Sequence, residues 1–68
     1  KNEAAYVGLA KVKMQMGHPD QAIELLGGAL KKCPKSAAIH NEIGIAHAKM
    51  SQNDQAIQSL EKAVELDP

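Results

Sequence analysis

The feature that most constrains this chain is that it repeats itself. Shifted by 34 positions, Asp20-Gln21-Ala22-Ile23 falls on Asp54-Gln55-Ala56-Ile57, Leu26 on Leu60, Ala29 on Ala63 and Pro34 on Pro68. Lys1, Ala4 and Met16 likewise meet Lys35, Ala38 and Met50, giving ten identities in 34 pairs with no gap. Repeats of 20 to 50 residues are the mark of stacked architectures, in which one unit cannot bury its own apolar face. The chain therefore divides into units 1–34 and 35–68.

Each unit reads as two helices. The first helix is predicted from Glu3 to Met16, with Asn2 placed to cap it. Gly17 can adopt the left-handed conformation that ends a helix, and Pro19 suits the first turn of the next one. Ala22, Ile23, Leu26, Ala29, Leu30 and Cys33 then form one apolar stripe of helical period, which Pro34 stops. Ser36 is placed to cap a third helix running to about Met50. Asn53 or Ser51 is placed to cap a fourth, with a stripe of Ala56, Ile57, Leu60, Ala63 and Val64. Eleven alanines favour helix, and no stretch alternates as a strand would. Gly27-Gly28 interrupts the second helix, where close backbone packing is the expected reason and a hinge the sharper alternative.

Charge and composition exclude several functions. Eight basic residues balance eight acidic ones, and Tyr6 is the sole aromatic, so neither a phosphate-binding field nor stacking platforms are provided and no nucleic-acid partner is expected. The balance is uneven along the chain: five lysines against three acids in residues 1–34 give +2, and three against five in residues 35–68 give −2. Such polarity favours head-to-tail stacking. No apolar run approaches the roughly 18 residues of a membrane span, and no signal-peptide h-region is visible. Cys33 stands alone, so no intrachain disulfide can form, and the lack of a disulfide framework fits a reducing compartment such as the cytoplasm.

No set of residues assembles a catalytic centre, a cofactor site or a metal site. His40 and His47 are two turns apart, about 10.5 Å along a helix axis, too far to share an ion unaided. Cys33 continues an apolar stripe and reads as a partly buried packing thiol. Ser36, Ser51 and Ser59 lack a nucleophile-elbow context, and Gly27-Gly28 lies inside a helix rather than between strand and helix. Lys31, Lys32 and Lys35 suit a solvated helix end, where positive charge complements the dipole. The enzyme reading fails on these residues.

The unit length, the small residues of each hairpin and the closing proline resemble the tetratricopeptide repeat over the whole chain. The pattern falls on Tyr6, Leu9, Ala10, Gly17, Ala22, Leu26, Ala29 and Pro34, and again on Ile43, Gly44, Ala56, Leu60, Ala63 and Pro68. The resemblance implies an all-α superhelix, a solenoid of four antiparallel helices in two helix-turn-helix repeats. Ala10 and Gly44 would sit where the helices of a hairpin cross. Lys13, His40 and His47 stand where the family usually has large aromatics, so a looser hairpin core is expected.

The resemblance also implies a concave groove lined by the first helix of each hairpin, serving a protein or peptide partner. Its lining would be Ala4, Val7, Lys11, Met14 and Gln15 from one repeat, and Ala38, Asn41, Ile45, Ala48 and Lys49 from the other. A family subgroup clamps a terminal carboxylate with lysine and asparagine, but the matching places here are Val7 and Lys11, so that pattern is not met. A mixed apolar groove for a peptide or partner helix is expected instead. The alternative is a spacer or self-assembly element. Leu60, Val64 and Leu66 expect a following hairpin, and Ala5 and Val12 a preceding one, which predicts stacking or swapping with further copies. The missing initiating Met and the Asp67-Pro68 end point to a piece of a longer array. An RNA-reading helical repeat of the pentatricopeptide type is disfavoured by the 34-residue period, the neutral charge and Leu66-Asp67-Pro68.

Overall fold

Four helices account for most of the chain in the computed structural model, which describes residues 3–68. They are α1 (Glu3–Gln15), α2 (Pro19–Lys32), α3 (Ala37–Lys49) and α4 (Asn53–Leu66). The expected cap at Asn2 lies outside the described residues.

The two hairpin turns share their closing bonds across the 34-residue shift. After α1, the Gly17 N–H donates to the Met14 carbonyl at 3.0 Å and the His18 N–H to Lys13 at 2.9 Å. After α3, the Ser51 N–H donates to Ala48 at 3.0 Å and the Gln52 N–H to His47 at 2.9 Å. Both are the paired bonds of a helix ending in a left-handed residue. Gly17 takes that position with φ +85°, as expected, and Ser51 takes it with φ +61°. This corrects the reading of Ser51 or Asn53 as the cap of α4. Ser51 is held in the left-handed position, Asn53 is already helical, and Gln52 occupies the cap without a side-chain bond.

Pro19 begins α2 as expected, and Ser36 does cap α3, its Oγ accepting from the Ile39 N–H at 3.1 Å. The same hydroxyl donates to Glu3 Oε1, fastening the start of α1 to the start of α3.

The core is small and lies among α1, α2 and α3. Ala10, Met14, Ala22, Leu26, Ala29, Ile39, Ile43 and Ala46 form it, with Tyr6, Ile23, Leu30 and Cys33 packed against it. Cys33 is thus the half-buried packing thiol expected. Within the second hairpin, Ala56 and Ala63 are buried on α4. At Gly44 an added Cβ would lie 2.8 Å from Leu60 Cγ and 3.1 Å from the Ala56 carbonyl oxygen. Here the helices cross as closely as the sequence implied. Gly27 and Gly28 correct the packing expectation: both are exposed, nothing lies within 4 Å of a Cβ at either, and α2 runs unbroken through them.

Helix contacts define the architecture. α3 touches α1, α2 and α4; α1 touches α2; α4 touches α3 alone. A bundle around a common centre would give every helix two neighbours, so this is an open stack of two hairpins. Its Cα extents, 28 × 26 × 16 Å, give the thickness of two helix layers, about one interaxial spacing of 8–10 Å plus a backbone radius on each side. The first helices of the hairpins touch while the second helices do not, which places α1 and α3 on the inner side of the stack.

Candidate functional site

On that inner side, α1 and α3 enclose an open concavity of about 330 Å³. α1 supplies Lys11, Met14 and Gln15, at spacings that keep them on one helical face. α3 supplies Glu42, Ile45 and Lys49, at i, i+3 and i+7. Met14, 8% exposed, is the floor and also part of the core, whereas Ile45, 36% exposed, is a wall. Met14 and Ile45 give the concavity an apolar base, and lysines and an amide form its rim.

Glu42 is the residue that the sequence reading missed. Its side chain is 8% exposed, and its Oε2 lies 4.0 Å from the Lys11 Nζ, which remains largely in solvent. Pairing across the groove bridges the two hairpins, but an ion pair with one exposed member contributes little to stability, about 0–1 kcal/mol. The signal was available: Glu42 continues the line of Ile45 and Lys49 on α3. Lys49 has no ion-pair partner among the described residues, so the rim keeps an unpaired cation.

The remaining expected lining residues go elsewhere. Ala38 and Asn41 face a separate hollow beside α4, with Ala37, Leu60, Ala63, Val64 and Asp67. Val7 is half-buried against the core, while Ala4 and Ala48 are exposed without lining the concavity. His40 and His47 are half-buried, and His47 Nδ1 meets Gln52 Oε1 at 2.7 Å. That bond ties the smaller ring to the α3–α4 turn. Lys13 is half-buried at the equivalent place in the first hairpin.

Both ends of the stack expose apolar side chains. On α1 these are Ala5, Leu9, Val12 and Met16, the last just past the helix end. On α4 a shallow depression is formed by Ile57, Leu60 and Val64 with Glu61 and Glu65, and Leu66 is half-buried nearby. Among the described residues no group of three His, Cys, Asp or Glu side chains is placed to hold a metal ion. No helix of the described residues is long and apolar enough to cross a membrane.

Paired antiparallel helices, stacked openly with their first helices inward, define a helical-hairpin solenoid. Residues 3–46 match one family model of the tetratricopeptide repeat and residues 37–68 match another, so the chain belongs to that family and carries two of its repeats. The fold is accordingly an all-α repeat superhelix. No curated protein matches the chain.

Proposed function

We propose that this chain, as tetratricopeptide repeats generally do, serves as a protein–protein interaction module rather than a catalyst. In this reading the α1–α3 concavity holds a segment of a partner protein, either an extended peptide or one face of a helix. In this reading residues 1–34 and 35–68 are the two repeat units. The supporting observation is that Lys11, Met14, Gln15, Ile45 and Lys49, from both repeats, surround one concavity with an apolar base and a cationic rim. An apolar partner side chain would rest on Met14 and Ile45, and an acidic neighbour would lie near Lys49. Lys11 is already engaged by Glu42. Apolar anchoring supplies most of the affinity in such helix or peptide grooves, and charge sets direction and register.

The test is a peptide-display selection against the chain, followed by titration of the selected peptides. Ile45→Asp combined with Lys49→Glu removes the wall and inverts the rim while leaving the Lys11–Glu42 pair in place. Binding of the selected peptides is expected to fall by tenfold or more, a loss of about 1.4 kcal/mol or greater. Unchanged affinity in a variant of unchanged helicity would refute the groove.

A further inference from the structure

The two open ends have matched counterparts inside the molecule. The α1–α2 hairpin is covered by α3, and the 34-residue shift maps that internal interface onto the exposed ends. On the covered side, Ile23, Leu26, Ala29 and Leu30 of α2 become Ile57, Leu60, Ala63 and Val64 of α4: three identities and one loss of a methylene. On the covering side, Ile39, Ile43, Ala46 and Met50 become Ala5, Leu9, Val12 and Met16. Every position stays apolar, and the change from isoleucine to alanine at one is partly offset by alanine to valine at another.

The larger difference is in burial. Leu26 is 0% exposed and Leu60 37%; Ile43 is 8% and Leu9 48%; Ala46 is 0% and Val12 48%. Each exposed end therefore presents apolar side chains at the register positions of the internal interface, unchanged at three of four on α4 and changed but apolar at three of four on α1. The α1 end belongs to the half of the sequence with net charge +2, and the α4 end to the half with −2. Opposite charge favours head-to-tail meeting and disfavours like ends.

We propose that the partner of these ends is a second copy of the same chain, with α1 of one copy seated on the α3–α4 hairpin of the next as α3 is seated on α1–α2. The contact joins unlike faces and does not close on itself, so copies add in a line. This proposal stands apart from the peptide reading, but it extends the groove. The shift that maps the concavity onto the junction brings Ile45, Ala48 and Lys49 of one copy together with Gly8, Lys11 and Gln15 of the next. Gly8 replaces Glu42 there, so the composite concavity carries two lysines and no carboxylate.

The test is sedimentation velocity over a wide concentration range on three chains of equal helicity by circular dichroism. These are the unsubstituted chain, Ile57→Glu/Val64→Glu and Leu9→Glu/Val12→Glu. The substituted side chains are all about half or more exposed, so the hairpins remain folded. The mean mass of the unsubstituted chain is expected to rise with concentration beyond two copies. Each variant alone should stay monomeric, and an equimolar mixture should give a 1:1 dimer through the two intact ends. Overturning results are a monomeric unsubstituted chain at the highest concentration, a mass that halts at two copies, self-pairing by either variant alone, or a mixture that stays monomeric.

Discussion

Leu26 and Leu60 hold the same place in their hairpins, and their surroundings differ by one helix. α3 closes over Leu26 and buries it completely, whereas the described chain places nothing over Leu60. Identical residues on equivalent faces thus do different work because burial in a stack is supplied by the neighbour. Nearest-neighbour dependence is the general property of repeat architectures. Here it is visible within one chain, because one hairpin is covered and the other is open.

The largest expected effect sets the two leucines against each other. Leu26→Ala should cost about 3 kcal/mol, from lost transfer energy plus a cavity that the surrounding alanines cannot fill. Leu60→Ala should cost about 1 kcal/mol, since the side chain is already partly in water. Urea unfolding measures both. A domain of this size has only about 3–5 kcal/mol in hand, so the first variant should keep about 0–2 kcal/mol and begin to unfold at the lowest urea concentrations. Equal costs would break the comparison.

Glycines give the next contrast. Gly27→Ala with Gly28→Ala should stabilise the chain by about 1–2 kcal/mol in sum, because both sites are helical, exposed and unobstructed. Gly44→Ala should act in the opposite direction. Its Cβ would press on Leu60 and the Ala56 carbonyl, and overpacking outweighs the gain in helix propensity by roughly 1 kcal/mol. The equivalent residue in the first hairpin is Ala10, so that hairpin accommodates the very methyl that the second excludes. Thermal unfolding of the two variants should shift in opposite directions, by several degrees each.

Smallest is the effect at the turns. Ser51 sits in the left-handed region where the first hairpin has Gly17, and Ser51→Gly should relieve about 1 kcal/mol or less of backbone strain. An unchanged or lower melting temperature would show that Ser51 bears no such strain, and that the two turns, alike in their closing hydrogen bonds, are alike in cost as well.

Much of this architecture could be read before any coordinates. The 34-residue shift, Gly17, Pro19 and the Ser36 cap report local conformation, and local conformation is what residue type constrains most directly. Ser51 escaped because a cap-forming side chain outweighed its alignment with Gly17, although the repeat itself carried the correct answer. Gly27 and Gly28 escaped for a different reason: glycine permits close packing without requiring it, and whether a neighbour arrives depends on the helix opposite. That Lys11, Met14, Gln15, Ile45 and Lys49 border one concavity follows what the family resemblance implied, with helical spacing keeping each set on one face of its helix. Glu42 and the departure of Asn41 and Ala38 toward α4 depend on how α1, α3 and α4 are set against one another. Residues from different hairpins meet there through stacking geometry, which spacing along one helix does not encode.

Amide hydrogen exchange, at a concentration where sedimentation shows single chains, tests the open stack most directly. Amides of α3, which touches every other helix, should exchange slowest, and those of α4, which rests on α3 alone, fastest among the helices. Uniform protection across all four would contradict an open stack and indicate helices gathered about one shared interior.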